Sequence, residues 1–298
     1  MKGIINIYKP QDYTSHDCVA VMRRLTGVKR IGHTGTLDPM ATGVLPVCIG
    51  NAARIMEYLD NDIKEYRCTM KLGVETETYD IWGNVLEEKD IGEIGREEIE
   101  KVLSGFRGEI SQYPPKYSAL KVNGKKLYQY ARAGEDVEIK PRSVTIYGLD
   151  ICSIDGDMVE FTVRCSKGTY IRSICHDAGE KLGCGGTMAA LERTASGVFG
   201  IDTAVDIEKL KSMDKEEIES LLYSTDHPLG EFGKIQLERQ SGIDFINGKR
   251  IDFDNAAIKE KTQRGNRYRI YFEDTFIGIG DIADDEKLKA DKVFNTEI

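Results

Sequence analysis

The stretch Gly32-His33-Thr34-Gly35-Thr36-Leu37-Asp38-Pro39-Met40-Ala41-Thr42-Gly43 places an aspartate in a loop bracketed by glycines. Glycines let the backbone turn tightly or approach a ligand closely. Pro39 restricts the backbone of Asp38 to extended conformations. One carboxylate is therefore held in place, with His33 five residues before it. Asp-Pro is also a common turn signal, so the spacing alone leaves open that Asp38 only caps a turn or a helix.

The composition around this loop is that of a globular protein. The chain has 298 residues, 40% of them hydrophobic, which allows one large or two ordinary domains with a substantial core. No run approaches the ~20 apolar residues of a membrane span, and the first apolar stretch is too short for a signal peptide. Seven scattered cysteines without a C-x-x-C pair favour reduced thiols over a zinc site or disulfides. We expect a cytoplasmic protein without membrane contact.

The charge of the chain is unevenly distributed. The net charge of −9 argues, at face value, against a nucleic-acid partner. However, residues 1–60 carry seven basic and five acidic side chains, residues 116–147 seven and three, and residues 164–193 five and three. A fold that brings these segments together would have a basic face on an acidic body, which suits phosphate binding. The alternative is ordinary surface charge.

Strand and helix signals intermix without a regular β-α-β alternation. Residues 66–72 alternate as a half-buried strand does, and Arg96–Ser104 has the pattern of an amphipathic helix. Asn123-Gly124 is a strong hairpin signal. Residues 143–151 and Met158–Cys165 have the pattern of paired strands. We predict an α+β fold with a mixed, largely antiparallel sheet and flanking helices.

The C-terminal part of the chain has its own pattern. Residues 206–223 are acidic and helical in pattern, and residues 226–230 have the composition of a linker. Residues 267–272 and 275–283 then alternate around a Glu273-Asp274 turn, as in a small β-rich module. We therefore predict two domains, residues 1–230 and residues 231–298.

The glycine-bracketed run, which continues through Val44-Leu45-Pro46, closely resembles the signature of the TruB family, the tRNA pseudouridine(55) synthases. The resemblance implies a pseudouridine-synthase-like fold in which Asp38 is the catalytic aspartate. It also implies that His33 fills the space that a flipped base leaves. More loosely, residues 231–298 resemble the small PUA-like RNA-binding domain of bacterial members.

Three further stretches carry the resemblance. Lys64-Glu65-Tyr66, followed by Thr76, Thr78 and Asp80, is similar to a motif whose tyrosine stacks on the target base and takes part in the chemistry. The alternative for Tyr66 is a core aromatic residue. The basic and aromatic stretch from Gln112 to Gly124 is a long match, suited to phosphates and bases.

The third stretch is Cys165-Ser166-Lys167-Gly168-Thr169-Tyr170-Ile171-Arg172-Ser173. The resemblance implies that Tyr170 lines the uridine pocket and that Arg172 pairs with the catalytic aspartate. The alternative is that Arg172 anchors a surface carboxylate. In an extended chain Tyr170 and Arg172 point the same way, whereas in a helix they diverge by about 200°. An extended segment would aim both at one pocket.

Two segments depart from the family pattern. Leu191-Glu192-Arg193 resembles an L-R-R segment whose leucine contacts substrate, but Glu192 replaces the first arginine, which we expect to weaken a phosphate contact. Plain core packing is the alternative for Leu191. Near the start, Lys9-Pro10 followed by Thr14-Ser15 resembles a supporting motif. There Tyr8 and Asp12 stand where the family often has aspartate and glycine.

The predicted reaction is the isomerisation of the T-loop uridine of tRNA by base flipping, with the T-arm stem-loop as partner and no obligatory protein partner. A carboxylate can attack the sugar or remove a sugar proton, and the sequence leaves both roles of Asp38 open. No nucleotide, dinucleotide or zinc motif is present, so we expect no cofactor and no metal. The alternatives are a non-catalytic RNA-binding or tRNA-folding module, a hydrolase pairing Asp38 with Asp80, and a guide-RNA-dependent synthase of the dyskerin kind.

Overall fold

The computed structural model describes residues 1–59, 63–252 and 264–295. The strands of these residues are β1 (Gly3–Lys9), β2 (Ile31–His33), β3 (Thr42–Ile49), β4 (Lys64–Leu72), β5 (Val74–Thr76), β6 (Val85–Glu88), β7 (Gly108–Gln112), β8 (Lys121–Val122), β9 (Lys125–Lys126), β10 (Arg142–Asp155), β11 (Met158–Cys165), β12 (Gly186–Ser196), β13 (Phe199–Gly200), β14 (Val205–Asp206), β15 (Gly233–Leu237), β16 (Arg267–Phe272), β17 (Thr275–Ile282) and β18 (Leu288–Val293). The α-helices are α1 (Ser15–Thr26), α2 (Arg96–Ser104), α3 (Leu127–Ala133), α4 (Ile171–Leu182), α5 (Ile207–Lys211), α6 (Lys215–Ser220) and α7 (Arg239–Ile246).

A large sheet forms the centre of the molecule. Its strands follow the order β14-β1-β3-β12-β4-β11-β10-β7, with β2 paired to β3 and β13 paired to β12. β14 pairs with β1 and β12 pairs with β3 in parallel, and the remaining neighbours are antiparallel. The predicted α+β class with a mixed, largely antiparallel sheet is confirmed.

The two faces of this sheet have different coverings. On β3, Leu45 and Val47 pack in one apolar cluster with α1, whereas Val44 and Cys48 belong to a second cluster that includes C-terminal residues. Helices α2 and α4 pack over β10, β4 and β12. On β4 the alternating burial of residues 64–72 puts Tyr66 in the core beneath α4 and Arg67 on the opposite, exposed face. The helical face is the one that carries the site described below.

The C-terminal residues form a second sheet of four strands in the order β15-β16-β17-β18. Ile279 and Phe294 pack with Ile4, Val44 and Ala52 of the large-sheet region in one continuous apolar cluster. The two sheets are therefore in contact through buried side chains. The boundary that we predict at residue 230 stays a prediction.

The segments before this sheet differ from their predicted form. The acidic stretch 206–223 forms the two short helices α5 and α6, because Asp214 caps a new helix by accepting from the N–H groups of Glu216 and Glu217. The predicted linker over 226–230 contains a short 3-10 helix, His227–Leu229, and Leu229 is buried. Among the described residues, no helix is both long and apolar enough to cross a membrane.

Candidate active site

A cavity of about 340 Å³ opens beside Asp38 on the helical face of the large sheet. Five of the six predicted site residues line it, namely Asp38, Tyr66, Tyr170, Arg172 and Leu191. The other lining residues are Thr34, Gly35, Thr36, Leu37, Lys64, Ser118, Ala119, Leu120, Lys167, Gly168, Thr169, Ile171 and Arg193. Segments far apart in the sequence thus meet at one carboxylate.

The loop of Asp38 is held on both sides by the first helix and strand. The Ser15 hydroxyl accepts from the Leu37 N–H at 2.8 Å and donates to the Leu37 carbonyl at 3.2 Å. The Lys9 ammonium donates to the Pro39 carbonyl at 3.1 Å. Because both chain neighbours of Asp38 are fixed, the carboxylate is positioned before any ligand arrives. Burial lowers the pKa of Lys9 to about 8.

The backbone conformation at Asp12 accounts for the departure from the family pattern at this position. Asp12 has φ = 65°, in the left-handed region, and its N–H donates to the Pro39 carbonyl at 2.9 Å. Glycine adopts this conformation without steric cost, and aspartate is one of the few other residues that tolerate it. The family's glycine at this position is therefore replaced by a residue that can form the same turn, at some strain.

Arg172 is the electrostatic centre of the site. It is only 4% exposed, and its Nε lies 2.9 Å from Asp38 Oδ2 while its Nη1 lies 3.4 Å from Asp80 Oδ2. Nη1 also donates to the Thr78 carbonyl at 2.9 Å, and Nη2 donates to the Tyr117 carbonyl at 3.0 Å. One guanidinium thus joins the loop of Asp38 to two other segments and faces two carboxylates, an arrangement that restricts its rotation.

Asp80 lies on the far side of Arg172 from Asp38. It is 1% exposed, does not line the cavity, and accepts at Oδ1 from the Thr78 hydroxyl and the Trp82 N–H. Burial raises its pKa. Because Arg172 stands between the two carboxylates, they do not flank a common substrate position. This arrangement disfavours the hydrolase that pairs Asp38 with Asp80.

The segment of Tyr170 and Arg172, for which the sequence left both an extended and a helical form open, combines the two. Tyr170 is extended (φ −100°, ψ 107°), but α4 begins at Ile171, so Arg172 lies in the first helical turn. Both residues still reach the cavity because the N-terminal end of α4 lies at its wall. The Gln112 side chain fixes this junction: it accepts from the Tyr170 N–H at 2.8 Å and donates to the Tyr170 carbonyl at 2.9 Å.

Tyr66 and Leu191 belong both to the core and to the cavity wall. Each is 9% exposed and packs in the core cluster beneath α4. They lie on the adjacent antiparallel strands β4 and β12, where Leu191 pairs with Cys68. Burial raises the pKa of Tyr66. Both side chains therefore pack in the core and line the cavity at the same time.

His33 does not line the cavity, although its neighbour Thr34 does. The imidazole lies at the end of β2, and its Nδ1 is buried without a hydrogen-bond partner among the described residues. Burial lowers the pKa of His33, which favours the neutral ring. The structure thus places His33 beside the loop of Asp38, outside the lining of the cavity.

Sequence reasoning missed two polar residues of the wall. Arg193 is 1% exposed. In the segment Leu191-Glu192-Arg193, only the first two residues were interpreted from the sequence. Ser118 is 4% exposed, and its hydroxyl is without a partner in the described part of the chain. Its signal was the long match around it, which we interpreted for its lysines and tyrosines. Glu192 is half-buried on the face of β12 opposite Leu191 and does not line the cavity, so the expected weakening of a phosphate contact at position 192 stays a prediction.

The residues that come closest to a metal site lie elsewhere. Within the described part of the chain, the ligand atoms of His176, Asp177 and Glu180 on α4 lie within 4.8 Å of one another. None of them lines the cavity, and Glu180 is exposed. The His176 ring stacks on Tyr79 with 3.9 Å between the centroids, which accounts for its position. The cavity itself offers Asp38 as its one carboxylate, which makes a poor metal site.

Comparison with known proteins agrees with this geometry over the whole chain. Residues 23–171 match the model of the TruB family pseudouridylate synthase (N terminal domain), residues 172–230 match the tRNA pseudouridylate synthase B C-terminal domain, and residues 233–294 match Pseudouridine synthase II TruB, C-terminal. This chain belongs to the TruB family. The first match contains Asp38 and Tyr66, and the second begins at Arg172.

Relatives within the TruB family cover nearly all of the chain. A tRNA pseudouridine synthase B of Clostridium perfringens is 44% identical over 299 residues, covering 100% of both chains. One of Alkaliphilus oremlandii is 45% identical and covers 96% of this chain and 95% of its own. Among solved structures, a chain of a Cbf5-Nop10-Gar1 complex superposes with a TM-score of 0.74 at 26% identity, covering 98% of this chain and 85% of that one.

Proposed function

We propose that this protein converts a uridine of tRNA to pseudouridine, and that its target is uridine 55 in the T loop. The observation that carries the proposal is the ion pair of Asp38 with the buried Arg172, 2.9 Å apart, at the wall of a cavity that Tyr66 also lines. Relatives named tRNA pseudouridine synthase B that are 42–45% identical over nearly the full chain support it.

The chemistry follows from one positioned carboxylate. Asp38 attacks C1′ of the ribose or removes its C2′ proton, and the bond between C1′ and N1 breaks. The uracil rotates and rejoins the sugar through C5, with no oxidant or energy source. Arg172 is a positioning residue, because it contacts the carboxylate of Asp38 and holds it in place. A module that only binds RNA gives no reason for a buried arginine that faces two carboxylates.

The target base must leave the folded T loop before the reaction. Extrusion costs a few kcal/mol of stacking. Stacking on the Tyr66 ring returns ~1–3 kcal/mol per base. Tyr170 and Leu191 then close the cavity around the uridine, and His33, beside the loop of Asp38, occupies the place that the base has left. These roles extend the geometry of the described residues to an RNA-bound state.

The RNA surface is proposed to lie around the basic hairpin of β8 and β9. Asn123 and Gly124 form its turn, with φ = 50° and 83°. The ammonium of Lys125 lies 4.5 Å from the centroid of the Tyr130 ring, so a basic and an aromatic group are presented together. In this proposal residues 1–230 carry the chemistry and residues 231–298 add RNA contacts. The protein works in the cytoplasm without an obligatory protein partner.

The test is to incubate the pure protein with an unmodified tRNA transcript and to map pseudouridine along it. We expect one site, in the T loop, and an isolated T-arm hairpin should serve nearly as well as the whole transcript. Binding should fall steeply with salt, because each neutralised duplex phosphate contributes about 0.9 to the log–log slope.

Two controls make this test specific. A transcript with cytidine in place of the target uridine must stay unmodified. The Asp38→Asn variant, which keeps the shape and loses the charge, should bind the hairpin within a few fold and give no turnover. Pseudouridine at another position, or turnover by Asp38→Asn above a few per cent of wild type, would contradict the proposal.

A further inference from the structure

Arg193 is a fully buried cation in the wall of the cavity. It is 1% exposed and follows Leu191 by two positions along β12, so that both side chains face the cavity. In residues 1–59, 63–252 and 264–295, no carboxylate lies within ion-pair distance of its guanidinium. Arg172, by contrast, faces two carboxylates. The two buried arginines of the site are therefore in different electrostatic situations.

The contacts of Arg193 do not neutralise its charge. Nε donates to the Val44 carbonyl at 2.7 Å, and Nη2 donates to the Gly35 carbonyl at 3.2 Å. Arg193 also pairs with Tyr66 across β12 and β4, and its positive charge opposes the rise in the pKa of Tyr66 that burial causes. All three partners are neutral. A buried charge without an opposite charge is costly, so it is expected where a ligand supplies the missing charge.

We infer that Arg193 stabilises the negative charge that develops on the uracil when its bond to C1′ breaks. This inference rests on the proposed function. The electron pair of the C1′–N1 bond leaves with N1 and spreads over N1, O2 and O4 of the base. On the sugar side, Asp38 supplies the electron pair of a new C1′–O bond. Alternatively it takes the C2′ proton, and that C–H pair forms the C1′=C2′ double bond. Either balance produces a uracil anion.

The position of Arg193 suits this role better than those of the other cations in the wall. It pairs with Tyr66 across β12 and β4, and both side chains line the cavity, so it lies beside the ring on which the base is proposed to stack. Arg172 is neutralised by Asp38 and Asp80. Lys64 and Lys167 each have a further partner of their own, and Lys64 also donates to the Ser196 hydroxyl at 2.7 Å.

The experiment compares two T-arm hairpins, one with uridine and one with 5-fluorouridine at the target position. Fluorine withdraws electrons and stabilises the departing base without help from the protein. Single-turnover loss of the target nucleoside is measured with enzyme in excess for wild type, Arg193→Gln and Arg193→Lys. We expect Arg193→Gln to be slower by ~10²–10³-fold on uridine, the usual effect of removing one such donor. On the 5-fluorouridine hairpin, the fold-decrease in rate caused by Arg193→Gln should be at least tenfold smaller. Arg193→Lys should keep the wild-type ratio between the rates on the two hairpins.

Equal slowing of Arg193→Gln on both hairpins would overturn the inference and leave Arg193 as a packing residue. If Arg193→Gln does not fold, Arg193→Met replaces it, because apolar residues of similar size substitute well for buried charges. Arg164→Gln is the matched control. Arg164 pairs with Glu65 at 3.4 Å on the exposed face, and its loss should slow neither substrate. Failure of the proposed function itself is distinct, since wild type would then convert neither hairpin.

Discussion

The Tyr8 hydroxyl donates to Glu192 Oε1 at 2.8 Å, across the intervening strand β3. These are two positions at which the chain departs from the TruB family pattern, which often has aspartate at the first and arginine at the second. At these two positions the chain has a hydroxyl and a carboxylate, and the two bond to each other. Burial and Glu192 raise the pKa of Tyr8, which keeps its hydroxyl a donor.

This contact predicts that the two departures are coupled in stability. Glu192→Arg alone should lower the free energy of unfolding by about 1–3 kcal/mol, since Tyr8 loses a charged acceptor. The new guanidinium also approaches Arg67, which now lies 3.6 Å from Glu192. Adding Tyr8→Asp should recover part of the loss, with a coupling energy of about 0.5–3 kcal/mol. Urea unfolding of both single variants and the double variant measures it, and additive effects would contradict the coupling.

Asp80 should affect turnover without touching substrate. Asp80→Asn removes one of the two carboxylates that face Arg172 and keeps an oxygen for Thr78 and Trp82. Because a small misplacement of a catalytic group can cost 10²-fold in rate, we expect kcat to fall about 100-fold and KM to change little. The control is Asp177→Asn, which alters a different carboxylate, one that is partly buried on α4. An unchanged kcat in Asp80→Asn would show that Asp38 and the carbonyls of Thr78 and Tyr117 hold Arg172 without Asp80.

The buried hydroxyl of Ser118 predicts that its removal stabilises the protein and weakens substrate binding. A buried hydroxyl without a partner costs about 1–3 kcal/mol, so Ser118→Ala should raise the free energy of unfolding by about 1 kcal/mol. The same change should raise KM for the hairpin several fold, because the cavity loses a hydrogen-bonding group. Ser173→Ala is the matched variant. Its hydroxyl donates to the Tyr113 carbonyl at 2.9 Å, so its loss should destabilise. A destabilised Ser118→Ala would show that Ser118 is already satisfied.

Lys9 predicts opposite effects of pH on rate and on stability. Its ammonium donates to the carbonyls of Pro10, Tyr13 and Pro39. A neutral amine has only two N–H groups, so it cannot hold all three. Because the pKa of Lys9 is about 8, the rate should fall as pH rises through 8, when the loop of Asp38 loses a restraint.

The effect of rising pH on stability is opposite to its effect on the rate. The folded-state pKa of about 8 lies below the ordinary value of 10.5, so between these values the unfolded chain binds more protons. The contribution of Lys9 to the free energy of unfolding therefore rises with pH in that window. Urea unfolding and pH–rate profiles of wild type and Lys9→Met separate the two effects. A descending limb near pH 8 that persists in Lys9→Met would assign it to another group.

The turn at Asp12 predicts a stabilising substitution. Because φ is 65° there, Asp12→Gly should remove strain and raise the free energy of unfolding by about 0.5–1 kcal/mol. Gln11→Gly, at the exposed neighbouring position without positive φ, should instead destabilise by about 0.4–1 kcal/mol through the entropy of the unfolded chain. Thermal unfolding of the pair measures the difference. Equal destabilisation by both changes would mean that the side chain of Asp12 contributes more than its strain costs.

The sequence predicted those elements whose signal is local. α2 spans the predicted Arg96–Ser104, and β4 alternates as its residues indicated. The sequence left the conformation at Tyr170 open, because the start of α4 is held by the Gln112 side chain, 58 positions away. A helix boundary fixed by such a distant partner leaves no local pattern.

The candidate site shows the same division. Asp38 and Arg172 were identified because motif resemblance marks residue types at fixed spacing. Arg193 and Ser118 escaped notice because their importance lies in burial without a suitable partner, a property that exists only after the strands have assembled. Nothing in the order of the residues shows that a guanidinium on β12 donates to Gly35, 158 positions earlier.

The central place of β12 has a consequence for biosynthesis. β12 lies between β3 and β4, and its Glu192 pairs with Thr42, 150 positions earlier. A nascent chain that has not yet released residue 196 from the ribosome therefore exposes the edges of β3 and β4, which have no common neighbour. Such long-range pairing folds slowly and leaves open strand edges that associate with other chains. The cavity is completed only when about two thirds of the polypeptide has been translated, so chaperones that shield strand edges would act on this protein during the first two thirds of its synthesis.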